Sequence, residues 1–256
     1  VQATKELKEL QETPDSPEAL ACVPTLAIGD IPKEAKGIPS DVSSVGATKL
    51  LTHDLFTNDI LYAEHLLDLK TVPAHLLPLL PLWTRALGRM GTKTKSFVEF
   101  DQLISAQTGG ISVSPFTSGM RGTDEMQAFM VVRGKATSDK VGVMHEIMSE
   151  LMLEAKFDDK NIFKQLVLET RAGMESRVQG SGHSVAAGRL DAQDSTAGWV
   201  SEQMGGLAQL EYLRELTKRV DSDWDGVLAD LHTISACLNN RAGSVTNLTA
   251  DAKTLD

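Results

Sequence analysis

The sequence predicts an α+β fold in which helices pack on a mixed sheet. Hydrophobic periodicity switches repeatedly between about two residues and about 3.6 residues from residue 46 onward. The predicted order is two strands, two helices, two strands, a helical series and one closing strand. This order differs from the regular strand and helix alternation of a parallel sheet. Prolines also divide the chain, because five of the nine fall between residues 14 and 39 and none follows Pro115.

The first 45 residues are predicted to lie outside the compact domain. Residues 1–13 carry Leu7 and Leu10 among Lys and Glu, which is typical of the last turns of a helix whose apolar stripe is too thin to fold alone. Residues 14–45 are predicted to form an extended, Pro-rich connector, because each proline fixes its own φ and biases the preceding residue away from the helical region. The compact domain is predicted over residues 46–256.

A hairpin and two short helices are predicted to open this domain. Alternation predicts strands over Gly46–Thr52 and Asp59–Leu69 that pair through a turn at residues 57–59. One face of the second strand would carry Leu61, Ala63, His65 and Leu67. Pro78 and Pro81 fit the first turn of a helix that Gly91 ends. The buried face of that helix would carry Leu82, Trp83, Leu87 and Met90. Ser96–Gln107 predicts a second helix, stopped by Gly109 and Gly110.

Two strands, several helices and a last strand are predicted to follow. Ile111–Thr117 alternates, whereas Met126–Gly134 contains a nearly continuous apolar run, which favours a central strand. Helical spacing predicts helices within the ranges Lys140–Leu153, Asp159–Val178, Leu207–Leu216 and Trp224–Ile234. The small-residue-rich stretch Ser181–Met204 is predicted to be helical in part. Arg241–Ala250 predicts the closing strand.

Composition and charge exclude several classes of protein. Of 256 residues, 41% are hydrophobic and 23% are charged, which excludes collagen-like, fibrous and wholly disordered chains. The net charge of −10 would repel phosphate, so we expect no nucleic acid partner. The longest apolar stretch, Leu76–Trp83, is too short for the roughly 20 residues of a membrane span. Cys22 and Cys237 are too few for a disulfide framework and favour a reducing or organellar compartment.

Two segments come close to zinc-binding motifs without completing them. His145 and Glu146 begin the HExxH pattern, but Ser149 replaces the second histidine. Leu61–His65 resembles the inverted HxxEH pattern with leucine in place of the first histidine, and on a strand positions 61 and 64 would face opposite sides. One missing ligand ruins either site, so no metal ligand is predicted.

The remaining candidates are predicted to be structural. Gly180–Ser184 matches neither GxGxxG nor a P-loop and is interpreted as a helix junction. No GxSxG nucleophile elbow is present. The structural interpretation covers three histidines, one cysteine and three methionines: His53, His75 and His232 as surface or boundary groups, Cys237 as core, and Met144, Met148 and Met152 as packing.

Three strings become informative together: Leu51–Ile60, Ser105–Val113 and Trp199–Gly206. With Ile31–Glu34 and Gly180–His183 they resemble the organellar presequence proteases, a family of pitrilysin-type zinc metallopeptidases. The resemblance covers nearly the whole chain. It implies a clamshell of two halves, each of two related α+β domains, joined by a long helical hairpin. This chain resembles the end of that hairpin, the connector, and the first domain of the second, non-catalytic half.

The resemblance also implies where the chemistry lies. In the first half of such proteins the matching helix carries HxxEH, with two histidines that bind zinc and a glutamate that acts as general base. Counting back from Gly91, the corresponding positions here are Leu82, Arg85 and Ala86, and none is a usual zinc ligand. The resemblance thus implies no catalytic residue and no metal or other cofactor in this chain, with zinc in the other half of the parent protein. Substrate-binding residues stay unassigned.

Two functional hypotheses follow. In the first, the chain is an inactive, non-catalytic chamber-wall domain of an ATP-independent zinc endopeptidase that degrades cleaved targeting peptides and other short unstructured peptides in the chloroplast stroma, the mitochondrial matrix or both. Its partners would be the remaining domains of the same protease and unfolded basic peptides. The acidic net charge has two interpretations of equal weight: it attracts basic peptides, or it only aids solubility. In the second, it is a stand-alone, zinc-less peptide-binding or scaffold subunit of a processing-peptidase-like complex. The chain starts at Val1 without a recognisable leader, so we expect an interior piece or a mature chain.

Overall fold

A computed structural model describes residues 2–34, 37–240 and 243–255. The chain divides into two compact units, Val1–Ile38 and Pro39–Asp256. The first unit contains helix α1 (Gln2–Glu12), helix α2 (Pro17–Ala21) and a 3₁₀ turn (Ile28–Asp30). Ser16 caps α2 by accepting a hydrogen bond from the amide of Ala19, and Pro17 occupies the first helical position. The helix predicted for residues 1–13 is therefore present as α1, while Val1 itself lies outside the described residues.

The second unit contains six strands and a helical layer within the described residues. The strands are β1 (Asp41–Val45), β2 (Thr48–Asp54), β3 (Ile60–Asp68), β4 (Ile111–Gly119), β5 (Met126–Thr137) and β6 (Val245–Ala250). The helices are α3 (Leu80–Leu87), α4 (Phe97–Gln107), α5 (Val141–Leu153), α6 (Lys160–Gly180), α7 (Gly182–Asp194), α8 (Thr196–Gly205), α9 (Leu207–Ser222), α10 (Trp224–Leu238) and α11 (Ala252–Leu255). Short 3₁₀ segments span Leu69–Thr71, Ala74–Leu79 and Ser138–Lys140.

The strands form one mixed sheet in the order β1-β2-β6-β3-β5-β4. The β2 and β6 strands are parallel, and every other neighbouring pair is antiparallel. The α+β fold with helices packed on a mixed sheet is thus confirmed. The prediction that Met126–Gly134 is central is also confirmed, because β5 pairs with a strand on each side.

The predicted hairpin between residues 46 and 69 is wrong. Both strands exist, but β6 lies between them and pairs with β2 on one side and β3 on the other. The loop that would have been the turn instead wraps the end of β6. The Asp251 carboxylate accepts hydrogen bonds from the amides of Thr57 and Asp59, at 3.1 Å and 2.8 Å. Asn58 and Asp59 have φ of 56° and 59° there, a left-handed conformation that Asn and Asp adopt more readily than most residues.

The true hairpin partner of β2 is β1, at residues 41–45, which the sequence pattern assigns to the connector. These residues pair in register with β2 from Asp41 opposite Thr52 to Val45 opposite Thr48, with Gly46 at φ 60° in the turn. All five residues of β1 are exposed. An exposed strand shows little of the apolar alternation by which sequence predicts strands, so the pattern gives no sign of its pairing with β2. The closing strand begins at Val245, and residues 241 and 242 of the prediction lie outside the described part of the chain.

Most helix predictions agree with the structure. Ser96 caps α4 and forms a capping box with Glu99. The helix predicted to start near Pro78 is divided: Pro78 lies in a 3₁₀ segment, and Pro81 is in the first turn of α3. The buried set Leu82, Trp83, Leu87 and Met90 is confirmed, at 0%, 0%, 2% and 8% exposed. The α3 helix ends at Leu87 rather than near Gly91. The stretch predicted to be partly helical forms α7 and α8.

The helices of the second unit pack on one face of the sheet, here called the inner face, and no helix described in this unit covers the other face, here called the open face. The inner side chains of β3 include Leu61 and Ala63, which are 3% and 1% exposed, whereas Tyr62 between them is 43% exposed on the open face. In the part of the chain that is described, no helix is long and apolar enough to cross a membrane.

Candidate functional site

The open face of the sheet carries a row of polar side chains that hydrogen-bond across five strands. We call this row the polar ladder, and its members in spatial order are His53, Asn247, Glu64, Arg133 and Ser114. His53 Nε2 lies 2.7 Å from Asn247 Oδ1, and the Asn247 amide nitrogen donates to Glu64 Oε2 at 3.2 Å. Arg133 Nε donates to Glu64 Oε1 at 2.7 Å and its Nη1 to Ser114 Oγ at 3.0 Å.

Strand register accounts for this alignment. Glu64 lies directly opposite Asn247 on one side and opposite Arg133 on the other. Directly opposed side chains on one face of an antiparallel pair have Cβ atoms about 5 Å apart, which is within reach of a hydrogen bond between polar groups. Each ladder member is half-buried, so the ladder is accessible to a bound molecule. The imidazole of His53 is fixed from behind, because its Nδ1 lies 2.9 Å from the Pro39 carbonyl oxygen.

The open face is close to electrically neutral although the whole chain is acidic. The strand residues that share this face include three basic side chains, Lys49, Arg133 and Lys135, and two acidic ones, Glu64 and Asp68. Arg133 neutralises Glu64 directly. A shallow hollow of about 630 Å³ is lined by Tyr62, Lys135 and three members of the ladder, Asn247, Glu64 and Arg133. The arrangement can offer hydrogen bonds and an aromatic ring to an extended chain.

A second surface, here called the apolar cleft, lies on the inner face between α5 and strands β1, β2 and β6. It encloses about 470 Å³. Two histidine rings meet there in an edge-on contact, with His65 and His145 centroids 5.5 Å apart. His65 Nδ1 lies 3.0 Å from Thr246 Oγ1, and His145 Nδ1 lies 3.0 Å from the Val141 carbonyl oxygen. Burial, together with the neighbouring His145, lowers the pKa of His65 below its usual 6.5.

The near-zinc motifs are not assembled into a metal site. Ser149, which replaces the second histidine, is exposed one turn after His145 on α5. On β3, Leu61 faces the inner side while Glu64 faces the open side, as the alternation predicts. Across the described residues, no group of three or more His, Cys, Asp or Glu side chains converges on a point that could hold a metal ion.

The positions that correspond to HxxEH do not fit zinc either. Leu82 and Ala86 are both 0% exposed in the core. Arg85 forms an ion pair with Glu169, with its Nη2 3.0 Å from the carboxylate, and also donates to Thr170. Two aliphatic side chains and a cation cannot coordinate a divalent cation. No step through zinc can be assigned to these three positions.

The other candidates occupy structural positions. His75 and His232 are exposed, and Cys237 is partly buried against the core. Met144 and Met148 are 0% and 3% exposed beneath α5, as packing residues should be. Gly180 ends α6, and Gly182 begins α7 after Ser181, so this segment is the helix junction that its composition predicts.

Sequence reasoning misses the polar ladder. It interprets His53 as a surface or boundary group, and it considers Glu64 only as part of an incomplete motif. One pattern in the sequence indicates a polar sheet face: in β3, Tyr62 and Glu64 alternate with apolar residues at a period of two. That pattern predicts a polar face but does not identify Asn247 and Arg133 as neighbours, because the neighbours depend on strand order.

Comparison with known proteins gives the following similarities. The family described as associated with peptidase M16, subfamily C, matches residues 1–216. Presequence protease 1, chloroplastic/mitochondrial, of Arabidopsis thaliana is 50% identical over 253 residues, covering 99% of this chain and 23% of that protein. The mitochondrial presequence protease of Saccharomyces cerevisiae is 30% identical over 217 residues, covering 84% of this chain and 21% of that protein. The chain therefore spans less than a quarter of the length of these relatives.

A solved structure has a similar fold. A peptidase M16 inactive domain from Pseudomonas fluorescens matches with a TM-score of 0.56 at 14% identity, covering 84% of this chain and 47% of that one. At this identity the match supports the fold alone.

Proposed function

Since the chain belongs to the family associated with peptidase M16, subfamily C, we propose that it is a non-catalytic, chamber-wall domain of an ATP-independent zinc metallo-endopeptidase that degrades cleaved targeting peptides and other short unstructured peptides. The resemblance to presequence proteases that the sequence strings predict is confirmed by this membership and by the plant and fungal relatives. The parent's activity, its substrates and its zinc are part of the proposal.

The residues that α3 carries in place of a zinc-binding set support the non-catalytic role most directly. Leu82 and Ala86 are core residues with 0% exposure, and the Arg85 guanidinium pairs with Glu169. Substitution of one position by histidine would therefore not create a site, since all three positions lack ligand chemistry. In the proposal, zinc and the general base come from another part of the parent protein.

The open face supports the chamber-wall role. This sheet face is left without a helix from the described part of the second unit. In a protein that acts on peptides, such a face is a surface on which an extended chain can lie. The ladder presents amide, hydroxyl and imidazole groups that can hydrogen-bond to backbone atoms of any sequence. Because Arg133 neutralises Glu64, the ladder does not select strongly by charge, which suits a peptidase that accepts many short peptides.

Basic targeting peptides remain the proposed substrate class, and the structure limits how this chain could attract them. The open face carries three basic and two acidic strand side chains, whereas the helical layer carries acidic residues such as Glu169, Asp191 and Glu211. Attraction of a basic peptide would therefore come from the long-range field of the −10 chain, which salt screens within roughly 10 Å. Close contacts on the face would be hydrogen bonds.

The proposed location is the chloroplast stroma, the mitochondrial matrix or both, as the names of the plant and fungal relatives suggest. The proposed partners are the remaining domains of the same protease. We also propose that residues 1–13 end a linker helix and that residues 14–45 connect it to the peptidase-like domain, with β1 drawn from the last residues of that connector.

The mass of the native protein tests the proposal. An antibody against this chain should detect, in organelle extracts, a product roughly four times as large as 27.7 kDa, because the chain covers 23% of its plant relative. A native product close to 27.7 kDa would instead support the stand-alone scaffold subunit. The purified chain should hold no stoichiometric zinc and should not cleave a basic presequence peptide. Chelator-sensitive cleavage by the purified chain would contradict both hypotheses.

A further inference from the structure

Part of the inner sheet face lacks a helix from the described part of the second unit. The α5 helix packs on β5, and its His145 reaches His65 of β3. The next strands, β6, β2 and β1, continue the sheet beyond α5. The apolar cleft lies over these strands. A sheet face that carries apolar side chains is normally buried against another layer.

The lining of the cleft is uncharged. The described residues that line it include no Lys, Arg, Asp or Glu, although 23% of the chain is charged. The floor includes Leu50 and Val132, and the α5 wall includes Met148, Met152 and Leu153. His65, at the floor, is shifted towards its neutral form by burial, which lowers its pKa. Such a surface does not attract basic peptides and favours an apolar occupant.

Two apolar side chains at the rim are left in solvent. Leu153 is 59% exposed and Val45 is 68% exposed, and both line the cleft. Single exposed apolar residues are common on surfaces. Here both flank the same uncharged cleft, beside the apolar side chains of Leu50, Met148 and Met152, and such a grouping is the pattern of an interaction site.

The dimensions of the cleft fit one helix. Neighbouring strands in a sheet lie about 4.8 Å apart, so the distance across the sheet from β1 through β2 to β6 is roughly 10 Å. An α-helix with its side chains is about 10 Å in diameter. Helices lie at the two ends of β6. At one end, the C-terminal end of α10 borders the cleft through Leu238 and Asn239. At the opposite end of β6, Leu255 of α11 packs against the apolar cluster that contains Met148.

We propose that the apolar cleft is the docking site of an amphipathic helix supplied by the part of the full-length peptidase that lies outside residues 1–256. This inference rests on the proposed function and adds to it the surface by which this chain joins the rest of its parent. The relatives of which this chain covers 23% and 21% contain several times more polypeptide from which such a helix could come. A substrate peptide on the open face cannot be the occupant, because the sheet separates that face from the cleft.

The test compares matched leucine variants in the full-length protein and in chain 1–256. Leu153→Asp places a charge in the cleft, and Leu190→Asp places the same charge on α7, where the leucine is similarly exposed, at 67% against 59%. In chain 1–256 both variants should leave the Tm nearly unchanged, because both side chains are already largely in water. In the full-length protein, Leu153→Asp should lower the Tm by at least about 3 °C relative to Leu190→Asp, since it would bury an unpaired charge under the docked helix.

Cysteine labelling provides a second measurement that does not depend on destabilisation. Ser149 is exposed at the edge of the cleft. In a background with Cys22→Ser, a maleimide should modify Ser149→Cys at least tenfold more slowly in the full-length protein than in chain 1–256. Ser222→Cys, on an exposed end of α9, serves as the reference for general reactivity.

Each outcome decides the inference. The docked helix would be overturned if the labelling rates were equal in the two proteins and the two leucine variants had equal effects. The proposed function would still stand in that case, provided that the native mass is large. A native mass near 27.7 kDa would overturn both. A third outcome is that chain 1–256 self-associates and that Leu153→Asp abolishes this association but has no effect in the full-length protein. This result would assign the cleft to a second copy of the chain and would also overturn the proposal.

Discussion

The Cα of Gly134 in β5 lies directly beneath the thioether of Met148 in α5, so closely that a Cβ added to the glycine would be 2.9 Å from Met148 Sδ. Met144 Sδ would be 3.0 Å from the same atom. The missing side chain thus allows α5 to pack against the sheet, and α5 forms one wall of the apolar cleft.

Gly134→Ala should therefore lower the free energy of unfolding by about 1–3 kcal/mol, because an extra methyl group in a packed core displaces its neighbours. Gly142→Ala is the matched control. It lies in α5 with nothing within 4 Å of an added Cβ, and it should stabilise the protein by up to about 1 kcal/mol through helix propensity. Chemical denaturation measures both. If the two variants had the same effect, the close packing would be contradicted.

Tyr212→Phe should stabilise the protein by about 0.5–2 kcal/mol. Among the described residues, its hydroxyl is buried without a hydrogen-bond partner, and burial raises the pKa of Tyr212 to about 12. Removing the hydroxyl eliminates an unsatisfied polar group while the ring continues to pack. Tyr62→Phe, on the open face at 43% exposure, should change the free energy of unfolding little. A loss of stability in Tyr212→Phe would show that the hydroxyl has a partner.

Stability should fall as the pH drops below about 6.5, in part because of His65. Burial, and secondarily His145, lowers the pKa of His65 in the folded state below its usual 6.5. The unfolded chain consequently takes up the proton first, so the stability contribution of the neutral ring is complete above that usual pKa and is lost as the pH falls through the folded-state pKa. Thr246 from β6 and His145 from α5 are the polar groups that face the ring.

The pH effect is measured by denaturant unfolding from about pH 7.5 to about pH 5.5. His65→Gln should show a shallower loss of stability over this range than the wild-type chain. His75→Gln, which replaces an exposed histidine, should retain the wild-type slope. An unchanged slope in His65→Gln would remove His65 as the source of the pH dependence.

Glu64 and Arg133 should be energetically coupled through the polar ladder. Their side chains are 34% and 42% exposed, so solvent screens the pair and the coupling should be only about 0.5–1 kcal/mol. A double-mutant cycle with Glu64→Gln and Arg133→Gln measures it, and added salt should reduce it. The same cycle for Glu215 and Lys218, which are 73% and 72% exposed, should give a smaller value. Equal coupling in the two pairs would indicate that the ladder adds nothing to a surface ion pair.

Several features of this protein could be predicted from local sequence because local physics decides them. Ser96 and Glu99 lie three residues apart, the spacing at which a capping box forms, and they cap α4 in the structure. Alternation in β3 places Leu61 and Ala63 on the buried face. The lack of zinc ligands at Leu82, Arg85 and Ala86 follows from residue identity alone.

The candidate site, by contrast, was decided by the tertiary structure. Nothing local to residues 46–69 reveals that β6, near the other end of the chain, separates β2 from β3. Backbone hydrogen bonds between strands are the same for any sequence, so strand order depends on which side chains become buried together once the helices have packed. That order places Asn247 between His53 and Glu64 to form the ladder, and it extends β6, β2 and β1 beyond α5 to form the cleft. The sequence by itself determined the fold class, whereas long-range strand pairing determined both surfaces.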